Sequence, residues 1–278
     1  MAVRAVYYGL TEGFSIKRIQ INVDLPDHLS VPSPEPKTLN QLITICKQRF
    51  TYLKKGSQAY AFLSEDGQYV LKLFKYHHMK PAEWLLDLRL PENMINYRNH
   101  LVHRRRHRID LTLNSYKIAA VQLKDESALT YAQIMPSSEF SLPVTLQDSI
   151  GRKDSIDLAH HGFAIQRCAQ LVYPSFETWL AQNDLQSARQ AIDSLVTLVA
   201  LRSKKGIQDS DPDLHKNAGL IGTQAVFIDI GGFHLNPKMQ SNDEMKHDMK
   251  KVFNNLRLWL KKHSPSLCDY LEQKIEEC

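Results

Sequence analysis

The side chains best suited to chemistry lie between Gly206 and Phe233. Asp209, Asp211 and Asp213 form an acidic loop that ends at Asn217. Two short apolar runs follow, Leu220-Ile221 and Ala225 to Ile228, joined by Gly222-Thr223. Apolar runs with a glycine-containing connection predict a tight hairpin. The second run delivers Asp229, with Gly231-Gly232 just beyond. A carboxylate at the end of a buried strand is expensive unless it is paired or binds a cation. Loop aspartate, Asn217 and Asp229 together offer hard oxygen ligands on a loop and a strand end, a set that suits magnesium carrying phosphates.

A second set stands far upstream. Gly56-Ser57-Gln58-Ala59 follows the apolar run at Phe50, and Tyr60 to Leu63 leads into the turn Glu65-Asp66-Gly67. Tyr69 to Lys75 closes the unit, and an Asp-Gly turn between alternating runs is a strong hairpin signal. Three strands are expected here. Strand side chains alternate, so Lys72 faces away from Leu71 and Leu73. A lysine on that face, beneath a Gly-Ser turn, can reach phosphate oxygens.

These elements occur in the order Gly56-Ser57-Gln58-Ala59, Val70-Leu71-Lys72, the loop to Asn217, then Asp229-Ile230-Gly231. In that order they resemble the protein-kinase-like fold, over roughly residues 45–235. More narrowly, the chain resembles atypical kinase-like proteins of intracellular bacteria. The resemblance implies an α+β fold of two lobes, an antiparallel N-lobe sheet and a small helical C-lobe. It implies ATP and Mg2+ as cofactors, with Lys72 on the phosphates, Gly56 and Ser57 in the phosphate loop, and Asn217 and Asp229 on the metal. Asp211 or Asp213 would be the catalytic carboxylate. Backbone groups between Gln166 and Cys168 would form the hinge that meets adenine. The implied organisation is an extension and proline-rich linker over 1–37, an N-lobe over 38–166 and a C-lobe over 167–278.

The departures from that pattern are specific. Lys54 and Ala59 stand where kinase phosphate loops carry their first and third glycines. The catalytic aspartate usually precedes the asparagine by five, a place held here by Pro212. No His-Arg-Asp or Ala-Pro-Glu triplet occurs. The long helix expected after residue 100 has no glutamate in its middle to pair Lys72; Asp110 and Gln122 are the nearest polar candidates. Two function classes therefore stand side by side. One is a phosphotransferase acting on a protein or a small molecule. The other is a pseudokinase that binds nucleotide and partners.

The remaining elements must position these groups. Ile16 to Val23 alternates like an edge strand, and Pro26, Pro32, Pro34 and Pro36 mark an extended linker. Pro81 and Ala82 to Leu90 read as a helix start, followed by a long helix from Ile109. Ala128 to Ile134, Val144 to Asp148 and Phe163 to Gln166 read as strands. Gln186 to Lys205 carries an apolar stripe and ends in cations before Gly206. Asp243 onward repeats apolar residues at helical spacing, and a last helix begins near Ser266.

Composition bounds the rest. Hydrophobic residues make up 43% and charged residues 23%, ordinary values for a globular chain. The net charge of +5 is compatible with an anionic ligand and too small to demand nucleic acid. Cys46, Cys168, Cys268 and Cys278 are scattered, which fits a reducing compartment. No apolar run reaches the ~20 residues of a membrane span, and no secretory signal is evident. A cytoplasmic location is expected, with export into a host cell left open. The basic run Arg104 to Arg108 either binds an acidic partner or is a solvated helix start. His100, His103 and His107 could hold a metal or simply face water.

Overall fold

The computed structural model describes residues 9–21, 25–76 and 86–278. The chain is mixed α+β and divides into two compact units. One runs to Ala120 and resumes over Thr130–Arg167; the other holds Val121–Leu129 and Cys168–Cys278.

The first unit is built on a seven-stranded sheet, order β4-β7-β3-β2-β1-β5-β6. The strands are β1 (Arg49–Lys55), β2 (Ala59–Ser64), β3 (Tyr69–Phe74), β4 (Leu129–Gln133), β5 (Pro143–Gln147), β6 (Lys153–Asp157) and β7 (Phe163–Arg167). The Asp66-Gly67 turn forms as its sequence dictates. Gly67 takes φ +70°, and the Asp66 carboxylate accepts from Ser64 Oγ and the Gln68 amide. β1, β2, β3 and β7 pair antiparallel in turn, while β1 pairs β5 in parallel. One sheet face carries Tyr60, Phe62, Leu71, Leu73, Phe163 and Ile165 into a buried cluster with Phe14, Ile19 and Leu42. Gly162 is a packing requirement, because a methyl group there would run into the Tyr76 ring.

The N-terminal expectations need correction. Ile16–Ile19 (α1) is one helical turn, not an edge strand, and residues 22–24 lie outside the described ones. Ile16 and Ile19 are three apart, a spacing that serves a helix turn as well as an alternation. The proline-rich segment is pinned rather than a free linker. Leu29 is fully buried in a short 3₁₀ turn, and Tyr131 donates its hydroxyl to the Pro32 carbonyl at 3.2 Å. Pro36 itself opens helix α2 (Pro36–Cys46) from its first turn. Of the expected helix at Ala82–Leu90, residues 82–85 lie outside the described ones, and 86–90 contains no helix. The long helix forms, but it begins well before Ile109 and takes in the basic run: α3 runs Glu92–Gln122. Strand β6 had no clear alternation and went unforeseen.

The second unit holds α4 (Val172–Ala181), α5 (Leu185–Lys204), α6 (Leu214–Asn217), α7 (Asn242–His263) and α8 (Pro265–Glu276). Its strands are β8 (Gln170–Leu171), β9 (Ile207–Asp209), β10 (Ala218–Ile221), β11 (Gln224–Phe227) and β12 (Phe233–Leu235). The hairpin β10–β11 turns at Gly222, φ +62°, and β8 adds to its edge. β9 pairs β12, with Asp209 opposite Phe233. The Asp184 carboxylate caps α5 by accepting from the Ser187 amide at 3.0 Å. Gly206, φ +68°, ends it. The stripe Ala188, Ala191, Ile192, Leu195, Val196 and Val199 is buried as its spacing requires.

Among the described residues no helix is long and apolar enough to cross a membrane.

Candidate functional site

In the first unit, alternation places Lys72 between neighbours of small volume. Its in-register partners are Ala61 on β2 and Ala164 on β7, while Leu71 and Leu73 are fully buried on the other face. Directly paired residues share a face. The half-buried Lys72 thus rises from a shallow floor of alanines. Gln166 shares that face, buried opposite Val70. Cys168 follows β7, half-buried, with its thiol pKa pushed up by burial.

Gly56 and Ser57 form an exposed turn between β1 and β2. The Gly56 amide donates to the Ala59 carbonyl at 2.9 Å, so that N–H is directed inward. Lys75 holds the turn twice. Its amide donates to the Gln58 carbonyl at 2.9 Å, and its ammonium donates to the Gly56 carbonyl. The ammonium also sits 4.5 Å from the centre of the Tyr60 ring. Lys75 is fully buried, and burial, helped by Lys55 and Arg18, lowers its pKa to about 8. The sequence carried the signal: Lys75 has the parity of Leu71 and Leu73, the core side of the strand.

In the second unit, three of the expected residues come together. Asn217 ends α6, and its carbonyl accepts from the amides of Ile228 at 2.8 Å and Asp229 at 3.3 Å. Its side-chain Nδ2 donates to the Asp211 carbonyl. That bond leaves Oδ1 as the atom with which Asn217 could ligate. Asp229 is exposed, its Oδ1 accepting from the Gly231 amide at 3.3 Å. The expectation that Asp229 needs a partner because of burial is therefore corrected. The buried carboxylate of the region is Asp209. It accepts from the Asp211 amide at 3.0 Å and lies 3.8 Å from Arg202 Nη1. Burial raises its pKa, and the charges of Asp211 and Asp229 raise it further against Arg202. Gly232 makes room for it, because a methyl group there would strike Asp209 Oδ1.

Asp211 and Asp213 are held differently. The Asp213 carboxylate caps α6, accepting from the His215 amide at 3.0 Å, with Lys216 at 3.8 Å. The hydrogen bonds of Asp211 are made by its backbone: its amide to Asp209 and its carbonyl to the Asp213 amide and Asn217 Nδ2.

The residues fit a phosphate-borne magnesium in kind and number. Such an ion takes one or two protein oxygens and completes its shell from phosphates and water. Asn217 Oδ1 and one Asp229 oxygen would supply two. Among the described residues no group of three or more His, Cys, Asp or Glu stands ready to hold a metal ion by itself.

Other expected groups have surroundings of their own. Asp110, a candidate partner for Lys72, is met by His28 Nε2 at 2.8 Å on the surface. The Gln122 carbonyl accepts from Lys205 Nζ at 2.6 Å. His103 and His107 are exposed and in ring contact, and His100 is exposed; among the described residues no metal-holding group of three or more includes them. Arg104 is exposed, while the side chains of Arg105, Arg106 and Arg108 lie outside the described ones. Arg202 and Asp248, buried and hydrogen-bonded to each other, were missed. Their spacing pointed inward, since Arg202 follows Val199 by three and Asp248 precedes Val252 by four on their stripes.

No protein-family model matches the sequence, and no curated protein does. Among solved structures, the chain is similar to WbdD at 15% identity and a TM-score of 0.35, over 81% of this chain and 45% of that one. A further structure, of the bifunctional kinase-methyltransferase WbdD, gives 16% and 0.34, over 79% and 42%. Rv3197 from Mycobacterium tuberculosis, in complex with erythromycin, gives 14% and 0.36, over 98% of this chain and 72% of that one. The chain spans less than half the length of the WbdD chains.

Proposed function

We propose that this chain is an atypical phosphotransferase of the protein-kinase-like type, dependent on ATP and Mg2+. The supporting observation is the hydrogen-bonded set of Asp211, Asn217 and Asp229, drawn from a loop and a strand end twelve residues apart and joined through the Asn217 carbonyl and amide. Asn217 and Asp229 hold the cation, which when bound neutralises charge on the phosphates. Lys72 pairs phosphate oxygens. Asp211 orients the acceptor hydroxyl and takes its proton as that oxygen bonds to the γ-phosphorus. The bond from that phosphorus to the bridging oxygen breaks, and ADP leaves with its electron pair. Asp213, occupied at the helix cap, is the weaker candidate for that base. Backbone groups around Gln166 and Cys168 meet adenine. A bacterial, cytoplasmic setting belongs to the same proposal.

A second reading, a pseudokinase that binds nucleotide without transfer, is favoured by one observation. The Gly56 amide is turned inward to Ala59, which removes a donor from the turn that would cradle phosphates. Calorimetric titration of Mg·ATP, paired with an assay of ADP release, tests both. The expected result is saturable binding that Lys72→Met and Asp229→Ala each weaken, with no comparable loss of folding. Binding without ADP release, across protein and small-molecule acceptors, selects the second reading. Absence of binding at millimolar nucleotide, with magnesium or manganese, removes both.

A further inference from the structure

β9 and β12 are joined by side chains as well as by their backbone ladder. Their register sets His234 directly opposite Gln208. Directly paired residues share a face, so imidazole and carboxamide meet. Gln208 Oε1 lies 3.2 Å from His234 Nε2. Across the ring, His234 Nδ1 lies 3.3 Å from Ser210 Oγ. Gln208, His234 and Asn236 are half-buried, and Ser210 is exposed. Ser210 is the residue between the buried Asp209 and Asp211.

The direction of these bonds follows from a backbone amide. The Lys238 N–H can only donate, and Asn236 Oδ1 accepts it at 3.2 Å. That leaves Asn236 Nδ2 to donate to Gln208 Oε1, at 2.8 Å. An oxygen therefore faces His234 Nε2. In the neutral imidazole Nε2 must then carry the ring proton, and Nδ1 is bare. The Asn236 amide donates to the Gly206 carbonyl at 2.7 Å, which anchors the row at the end of α5. At the other end, the Ser210 hydroxyl has one proton and two acceptors in reach, Nδ1 and the Gly232 carbonyl at 3.0 Å. The Ser210 amide already donates to that carbonyl, also at 3.0 Å. Nδ1 stands 3.4 Å from the same carbonyl, acceptor against acceptor. A hydroxyl proton turned to Nδ1 gives every group in the row a partner.

We infer that His234 is a positioning residue of the phosphotransfer site. Through Ser210 it closes the acidic loop on the segment that follows Asp229, and so keeps Asp211 in place for the acceptor hydroxyl. Asn217 Nδ2 holds the carbonyl of Asp211. The bond from Ser210 to His234 holds the residue just before it. This role rests on the phosphotransfer reading; the row of hydrogen bonds does not.

Two measurements on the full chain test it. Nitrogen NMR of the His234 imidazole, without nucleotide, is expected to show the proton on Nε2 in wild type and a mixture of tautomers in Gln208→Leu. The second measurement is ADP release from Mg·ATP, with water and with dephosphorylated casein as acceptors. His234→Phe is expected to lower kcat about tenfold, since a displacement of ~1 Å can cost ~10²-fold. Its affinity for Mg·ATP and its Tm should stay near wild type, a split that loss of folding would not give. His234→Asn keeps an acceptor near the place of Nδ1 and should recover most of kcat. Ser210→Ala should lower kcat as His234→Phe does, and the double variant no further, because the two side chains act through one bond. A proton on Nδ1 in wild type, an unchanged kcat in His234→Phe, additive losses in the double variant, or a fall in Tm that accounts for the lost turnover each overturns the inference and leaves the phosphotransfer reading standing. A wild type that releases no ADP with either acceptor overturns the positioning role, and selects the pseudokinase reading if Mg·ATP binds.

Discussion

Asp211 and Asp213 are two residues apart, yet their carboxylates are in different situations, and their variants should separate. Asp213→Ala removes the cap of α6 and is expected to cost about 1 kcal/mol of stability. Asp213→Asn should keep most of that, as asparagine caps nearly as well. Asp211→Ala leaves the cap intact. In the proposed reaction it should cut turnover by ~10²–10⁴ with Mg·ATP affinity near normal. If turnover falls in Asp213→Ala and not in Asp211→Ala, the base is Asp213. Lys75 gives a test by pH. Its pKa is about 8 in the folded chain against an ordinary 10.5, so between those values the unfolded chain binds the extra proton. Stability contributed at this site therefore rises with pH across that window. Wild type should gain stability relative to Lys75→Met from pH 8 to 10.5, read by urea unfolding at each pH; a constant difference would contradict the burial argument.

At the scale of elements, the acidic loop is set by pairs of strands rather than by its own sequence. β9 and β12 bring Asp209 beside Gly232, and β10 and β11 bring Asn217 beside Asp229. Arg202 on α5 binds Asp248 on α7 and lies against Asp209 on β9, so one guanidinium ties three elements under the loop. Arg202→Met leaves two buried carboxylates without a cation. It is expected to destabilise by about 3–5 kcal/mol, measured by chemical denaturation. A loss under 1 kcal/mol would mean that water reaches those carboxylates. Gly232→Ala adds a methyl group against Asp209 and should both lower stability and displace Asp211, whose amide depends on Asp209.

For the whole molecule, the discriminating measurement is linkage between ligand and folding. A ligand that binds only the folded chain stabilises it by about 2.7 kcal/mol at a hundred times its Kd. Mg·ATP is therefore expected to raise the Tm of wild type, and of Asp211→Ala equally, but not of Asp229→Ala. An equal shift in Asp229→Ala would take that carboxylate out of the nucleotide site. The net charge of +5 adds only a mild preference for anions, so the shift should depend on magnesium more than on ionic strength.

Periodicity alone determined much of this protein. The hairpin at Asp66-Gly67, the face on which Lys72 stands, the buried stripe of α5 and the hairpin leading to Asp229 all follow from local spacing and turn chemistry, and local spacing acts between near neighbours. Even Lys75, Arg202 and Asp248 sat at core positions of those patterns. Their burial was legible, but their partners were not, since Tyr60, Gly56 and Asp209 are reached only through strand register and helix packing. The tertiary structure alone decided that Asp209 is the buried acid and Asp229 the exposed one. It also decided that Asp213 caps a helix turn, and that His234 meets Gln208 and Ser210. Each of these depends on contacts between residues far apart in the chain, where burial and packing override local preference.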